Sequence, residues 1–202
     1  MIIIGITGKS GSGKSTICRA LANKLDGKII DFDDISHKCL AQQSIIDFVS
    51  ETFGKDIINN NGEIDRKKLG EIVFCNTAHM NTLNDVVYKE MIKIIDNIIK
   101  YSNKRYLILD YLLLPQTKYF DKCNYKILVN ASIKTRFERV MERDGLTLDY
   151  ITKRENNSID FKENDFDIVI NNDGTKDLQN INDEIVKKIT KGENYENSFL
   201  CR

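Results

Sequence analysis

Residues 8–16 read GKSGSGKST, which matches the phosphate-loop (P-loop) pattern G-x-x-x-x-G-K-[ST]. The apolar run Ile2–Ile6 before it is typical of a buried strand, and the residues after it are typical of a helix. A functional P-loop lies between a strand and a helix. A Gly/Ser-rich turn that matched the pattern by chance would have no reason to lie between these two elements. The stretch therefore predicts a P-loop NTPase fold that binds a nucleoside triphosphate.

Each residue of the loop has a predicted task. Gly11 and Gly13 permit backbone conformations that turn N–H groups toward a β-phosphate at a helix N-terminus. Lys14 is expected to bridge the β- and γ-phosphates, and the Ser15 hydroxyl to ligate Mg²⁺. The predicted nucleotide-binding residues of the loop are Gly11, Ser12, Gly13, Lys14, Ser15 and Thr16.

The composition favours a single cytosolic domain that acts on a small molecule. The 202 residues include 30 basic and 30 acidic side chains, so zero net charge gives no reason to expect a nucleic-acid or membrane partner. The five cysteines are widely spaced and form no C-x-x-C pair, which indicates neither a disulfide framework nor a structural zinc site. No apolar run approaches the length of a membrane span, and Met1 leads directly into the first strand.

Five short apolar runs alternate with helical patterns, which predicts a five-stranded, parallel, doubly wound α/β sheet. One long helix is predicted over Thr77–Lys100, where apolar residues recur at helical spacing. In such sheets ligands bind beyond the carboxyl ends of the strands, so the residues after each strand are candidates for chemistry. The predicted strands are Ile2–Thr7, Lys28–Asp31, Arg105–Asp110, Tyr125–Asn130 and Phe166–Asn171.

Two strand ends carry candidate carboxylates. Asp31, Asp33 and Asp34 follow the second strand, and Asp33 is the predicted general base for an attacking hydroxyl, since phosphoryl transfer depends mainly on alignment. The alternative is that these acids only cap the next helix. Asp110 ends the third strand like a Walker-B aspartate that holds Mg²⁺ through water, and an ordinary turn aspartate is an equal alternative.

A predicted helix from Ser132 to Gly145 carries Arg136, Arg139 and Arg143 at i, i+3 and i+7, so the three lie on one face. They are candidates for clamping the ATP phosphates, with Arg139 binding nucleotide and Arg143 assisting catalysis. The alternative is a solvated helix whose arginines pair with acids such as Glu142.

His37 follows Asp33 by four residues and lies on the same face of a predicted helix. It is a candidate contact to a substrate phosphate, with a structural role as the alternative.

Five motifs together resemble the dephospho-CoA kinase family, and the likeness runs from Ile2 to about Leu178. They agree with the family in order and spacing. The motifs are GITGKSGSGKST at 5–16, IDFDDI at 30–35, GEIDRKKLGEIVF at 62–74, RVMERDGLT at 139–147 and DIVINNDG at 167–174.

The resemblance implies an ATP-dependent kinase that phosphorylates the ribose 3′-hydroxyl of dephospho-CoA, the last step of coenzyme A synthesis. It implies that Asp33 is the base, that Arg143 belongs to an ATP-side lid, and that Gly62–Phe74, including Arg66, binds the acceptor. We divide the chain into a single kinase domain over 1–190 and a loose, polar C-terminal tail over 191–202. Within the domain we expect a core at about 1–35, 103–135 and 160–190, a helical acceptor subdomain at about 36–102, and a lid at about 136–159.

Departures from the family pattern fall mainly on the acceptor side. Tyr88-Lys89 replaces the usual His-Pro, residues 112–116 read LLLPQ where the family has P-L-L-F-E, and Arg154 lacks the glutamine of R-x-x-x-Q. A nucleoside or nucleoside monophosphate kinase, or a paralogue with another nucleotide-like acceptor, therefore stays open. A GTP-dependent switch is disfavoured, because the one N-K-x-D sequence, Asn23–Asp26, lies at the end of the helix that follows the P-loop.

Overall fold

The computed structural model describes residues 1–156, 158–174 and 178–200, with residues 192–200 described by backbone only. Short 3-10 turns lie at Lys55–Ile57, Leu114–Gln116, Phe120–Lys122 and Glu163–Asp165. The helices and strands are, in chain order, β1 (Ile2–Thr7), α1 (Lys14–Leu25), β2 (Lys28–Asp31), α2 (Phe32–Cys39), α3 (Gln43–Phe53), α4 (Arg66–Phe74), α5 (Thr77–Tyr101), β3 (Tyr106–Asp110), β4 (Tyr125–Asn130), α6 (Ile133–Asp144), α7 (Leu148–Asn156), β5 (Ile168–Asn171) and α8 (Leu178–Leu200).

The strands form one five-stranded sheet in the order β2-β3-β1-β4-β5. β1 pairs in parallel with β3 on one side and with β4 on the other, and β4 pairs in parallel with β5. α-Helices connect β1 to β2, β2 to β3 and β4 to β5, whereas the segment from β3 to β4 contains two 3-10 turns. A parallel pair cannot be joined by a tight hairpin. The predicted fold class, a parallel doubly wound sheet with flanking helices, is confirmed.

Strand β5 begins two residues later than predicted, at Ile168 rather than Phe166. Phe166 packs edge-on against Phe120, with ring centroids 5.5 Å apart. The Asp167 carboxylate accepts a hydrogen bond of 2.7 Å from the Lys126 amide. The Asp167 amide also donates to the Lys126 carbonyl at 2.9 Å, so the side chain takes only the Lys126 amide out of the backbone pairing. Apolar character alone did not reveal this.

The core of the sheet lies against α1 and α8. Alternate residues of the central strands, such as Ile4 and Ile6, pack with α1 and α8 residues such as Leu21 and Ile185. This alternation follows from the two-residue period of a strand, which sends every second side chain to the same face. The packing fixes where α1 begins, and therefore where the loop between β1 and α1 lies.

The chain forms two compact units. One comprises Met1–Ile30 and the chain from Asn103 onward, and holds the sheet. The other, Asp31–Ser102, contains helices α2 to α5 and one isolated bridge between Ile58 and Ile64. The division into core, acceptor subdomain and lid stays a prediction.

The expected loose tail over 191–202 is wrong as far as residue 200, because the backbone of α8 continues to Leu200. Residues 191–200 contain one glycine and no proline, so nothing in their sequence terminates the helix. Extending an existing helix costs far less than nucleating a new one. Residues 201 and 202 lie outside the described residues.

Candidate active site

The loop between β1 and α1 has a conformation that only glycine tolerates at two positions. Gly11 has φ +80° and Gly13 has φ +90°. A β-carbon on Gly11 would lie 2.4 Å from the Arg136 carbonyl oxygen, and one on Gly13 would lie 2.3 Å from Asn172 Nδ2. The loop is therefore held by its neighbours as well as by its own backbone preferences.

The N-terminus of α1 is built to receive an anion. The helix begins at Lys14, its N-cap is Gly13, no side chain of the described residues caps it, and its first turn holds no acid. The first amides of a helix need acceptors that the helix itself does not supply, and the helix dipole favours negative charge there. Ser15 and Thr16, both exposed, occupy the same turn. These features fit the predicted phosphate site.

Asn172 supports the loop from the edge of the sheet, where it directly follows β5. Its side chain is buried, and Nδ2 donates a 2.8 Å hydrogen bond to the Ser12 carbonyl. Its own amide donates to the Asn130 carbonyl at 2.7 Å, just beyond the paired ends of β4 and β5. Asn172 lies in the DIVINNDG motif, but no role was predicted for it. The asparagine of that motif was the available signal.

Lys14 and Asp110 form an ion pair, through Nζ and Oδ1, at the carboxyl end of the sheet. Asp110 ends β3 and is only 3% exposed, so its charge is shielded from water and needs a partner. The structure brings together the predicted phosphate lysine and the predicted Walker-B-like aspartate. In this state the carboxylate contacts an ammonium group, and its role toward Mg²⁺ stays a prediction.

The three arginines of α6 have three different environments, although they share one face as predicted. Arg139 contacts the loop, since its Nη1 donates to the Gly11 carbonyl at 3.2 Å. Arg143 is exposed and forms two hydrogen bonds of 2.7 Å with its neighbour Asp144. These bonds hold the pKa of Asp144 below its usual value. The spacing of the three arginines along α6 places them on one face, but the hydrogen-bond partner of each side chain determines its environment.

Arg136 is buried and pairs with Glu155 of α7 through two hydrogen bonds of 2.8 and 2.7 Å. Its Nε also donates to the Ala131 carbonyl at 3.3 Å. The Arg136 guanidinium, opposed by burial and aided by Lys9, lowers the pKa of Glu155 to about 2. The carboxylate therefore stays charged at any pH near neutrality. No role for Glu155 was predicted from the sequence.

Glu155 should make stability depend on pH in the acid range. A carboxyl whose pKa falls from 4.5 to about 2 on folding stabilises the fold above pH 4.5, and loses that effect as the pH falls toward 2. We expect Glu155→Gln to be less stable than the unmodified chain by roughly 2 kcal/mol at neutral pH, allowing for partial solvent exposure. Urea unfolding across this range measures the difference, with Glu138→Gln as control. A difference that does not shrink in acid would contradict the assignment.

In the helical unit, the three clustered aspartates have separate positions. Asp31 is the N-cap of α2, and its carboxylate accepts a 3.0 Å hydrogen bond from the Asp34 amide. Asp34 pairs with Lys38 at 2.6 Å on the surface. Asp33 is exposed in the first turn of α2 and does not occupy the cap position. The capping alternative therefore describes Asp31 rather than Asp33.

The structure brings His37 and Arg66 close together. Arg66 is exposed at the start of α4, and its Nη2 donates to the His37 carbonyl at 3.4 Å. Asp65 caps α4 by accepting hydrogen bonds from the Lys67 and Lys68 amides. The I-D-R core of the Gly62–Phe74 motif thus encodes a helix start that presents an arginine.

None of the helices in the described ranges combines the length and apolar composition that a bilayer-spanning segment requires.

The family model for dephospho-CoA kinase matches residues 2–177. The chain is 32% identical over 181 residues to the dephospho-CoA kinase of Fusobacterium nucleatum, covering 88% of this chain and 93% of that protein. It is 36% identical over 183 residues to the dephospho-CoA kinase of Carboxydothermus hydrogenoformans, covering 86% of each.

The fold of this chain is also similar to that of a solved dephospho-CoA kinase structure. The dephospho-CoA kinase from Campylobacter jejuni superposes with a TM-score of 0.68 at 27% identity, covering 95% of this chain and 98% of that one. The resemblance stated from five motifs is confirmed. The chain therefore belongs to the dephospho-CoA kinase family.

Proposed function

We propose that this chain transfers the γ-phosphoryl group of ATP to the ribose 3′-hydroxyl of dephospho-CoA, which gives coenzyme A and ADP. Family membership supports the reaction, and the uncapped N-terminus of α1 beside Lys14 is the observation that carries it. The zero net charge gives no support for a nucleic-acid partner. We also propose that the reaction takes place in the cytosol, as the sequence predicts.

Phosphate binding is assigned to the loop and α1. The amides at the start of α1 would hold the β-phosphate, and Lys14 would exchange Asp110 for phosphate oxygens when ATP enters. Arg139 would add positive charge at the loop, since its guanidinium already reaches the Gly11 carbonyl. Arg143 is the proposed catalytic arginine, and it would leave Asp144 for the transferring phosphate.

Magnesium fits the oxygen donors of this site. Ser15 offers an exposed hydroxyl and Asp110 a carboxylate, the ligand types that Mg²⁺ prefers. The described residues contain no cluster of three acidic, histidine or cysteine side chains suited to a metal. A dedicated cage is not required, because Mg²⁺ commonly uses one or two protein oxygens plus substrate phosphates. When bound, the ion neutralises charge on the phosphates.

Proton transfer and acceptor binding are assigned to the helical unit. Asp33 is the proposed base, since its carboxylate is exposed in the first turn of α2 and a positioned carboxylate can take the proton of an attacking hydroxyl. His37 and Arg66 are proposed to contact the phosphate groups of the acceptor. The Arg66 guanidinium supplies positive charge there, and its hydrogen bond to the His37 carbonyl holds it beside His37.

An acceptor comparison tests the proposal. ADP release should be fastest with dephospho-CoA when it is offered with ATP and Mg²⁺ beside adenosine, cytidine, uridine and their monophosphates at equal concentration. The physical reason is that a site built for the larger acceptor aligns only that hydroxyl with the γ-phosphate. Mass spectrometry of the product should place the new phosphate on the 3′ position. Faster turnover of a nucleoside or monophosphate would favour the alternative kinase class.

A further inference from the structure

Four charged side chains form a cluster, here called the Glu155 cluster, beside the phosphate loop. It consists of Lys9, Arg136, Glu155 and Asp160. Glu155 Oε1 lies 3.0 Å from Lys9 Nζ and 2.7 Å from Arg136 Nη2, and Lys9 Nζ lies 2.9 Å from Asp160 Oδ1. Apart from Asp160, which is 94% exposed, these side chains are at most 19% exposed. Glu155 is therefore the carboxylate that two sheltered cations share.

The cluster joins the phosphate loop to two other elements. Lys9 belongs to the loop, Arg136 to α6 and Glu155 to α7. Arg136 also reaches the loop directly, since Nη1 lies 3.5 Å from the Ser10 carbonyl. Its backbone lies so close to Gly11 that a β-carbon there would be 2.4 Å from the Arg136 carbonyl oxygen. Two consecutive residues of the loop are thus anchored through one glutamate. The second half of the loop is held separately, by Asn172 at Ser12.

Within the cluster, the Lys9 ammonium group is paired with the carboxylates of Glu155 and Asp160. A lysine in this loop would otherwise be a second candidate for direct phosphate contact, beside Lys14. Its Nζ is held between two carboxylates, so in this state it positions the backbone and does not point a free ammonium group at a ligand. A merely stabilising surface pair would not be this sheltered, and would not connect three elements.

We infer that Glu155 is a positioning residue for ATP binding, which holds the first half of the phosphate loop in its binding conformation through Lys9 and Arg136. This rests on the proposed function in so far as ATP is the ligand. This anchoring should raise the affinity for ATP, because a loop whose amides are already oriented loses less conformational entropy when phosphate binds. Glu155 itself does not touch the nucleotide.

A double-mutant cycle separates this role from direct contact by Lys9. Lys9→Met removes only the loop side of the cluster, and Glu155→Gln removes the shared charge while keeping the shape. The affinity of each variant for a non-hydrolysable ATP analogue is measured by calorimetry, with Lys134→Met and Glu138→Gln on α6 as exposed matched controls. We expect each cluster variant to weaken binding by about tenfold, and the double variant by no more than about the larger single loss.

Direct phosphate contact by Lys9 predicts a different pattern. Glu155→Gln would then free the ammonium group and keep or tighten analogue binding, and Lys9→Met would lose the same factor in either background. Either result, or additive losses in the double variant, would overturn the inference. Thermal unfolding of each variant confirms that affinities are compared between folded proteins.

Hydrogen exchange in the nucleotide-free protein tests the anchor independently of the reaction. A peptide covering residues 8–13 should exchange faster in Lys9→Met and in Glu155→Gln than in the unmodified chain and the two controls. Unchanged exchange would refute the anchoring role even if the chain is a kinase. Faster exchange in a chain that binds no ATP analogue would support the anchor and refute the proposed function.

Discussion

Lys14→Ala should lower the rate of phosphotransfer by at least about 10²–10³-fold, because an ammonium group that stabilises charge on the transferring phosphate is removed. The measurement is single-turnover ADP formation with dephospho-CoA and saturating ATP. Lys14 lies at the uncapped start of α1 and is not one of the buried residues of that helix, so the fold should survive its replacement.

The structure adds a control for this variant. Removing Lys14 leaves the buried Asp110 carboxylate without its ammonium partner, which costs stability. Lys14→Ala/Asp110→Asn removes both charges, so it should recover much of the lost thermal stability and stay inactive. A variant with near-normal turnover and intact fold would remove Lys14 from the site.

Asp33→Asn should reduce kcat by about 10²-fold or more while leaving the affinity for ATP nearly unchanged, the expected effect of losing a positioned proton acceptor. Asparagine keeps the shape of the side chain but cannot take the proton of the acceptor hydroxyl. Steady-state kinetics with both substrates varied gives kcat and each KM separately.

Asp34→Asn is the matched control, because Asp34 lies next to Asp33 in the sequence and its carboxylate pairs with Lys38 on the surface. That pair is exposed and should contribute little, so the control should keep its turnover. An equal loss of ATP affinity in Asp33→Asn would instead indicate that Asp33 organises the metal ion.

Local features of this chain could be predicted from the sequence with useful accuracy. The bounds of β1, β2 and β4 agree with the sequence patterns. Helix α6 begins after its predicted Ser132 cap and ends at Asp144, where Gly145 in the left-handed conformation terminates it. These features depend on signals within a few residues, namely apolar runs, a capping hydroxyl and a glycine with positive φ.

Contacts between distant residues could not be predicted in the same way. Arg136 was expected to face phosphate or solvent, and its partner Glu155 lies on another helix. Asn172 reaches Ser12 across 160 residues of sequence, and Lys14 meets Asp110 across 96. No local pattern encodes such pairs in a single sequence, because the sheet topology brings them together. The roles of Asp33, His37, Arg66 and Arg143 stay predictions.

The strand order also has a consequence for how the protein is made. β1 lies between β3 and β4, so the first strand to leave the ribosome has no neighbour until residues 106–110 have been synthesised. More than half of the 202-residue chain must therefore emerge before the sheet can close around β1. Pairing of strands so far apart in sequence is slow, and an unpaired apolar strand is prone to aggregate meanwhile. The phosphate loop, which follows β1 directly, is accordingly an early segment of the nascent chain but a late feature of the folded one.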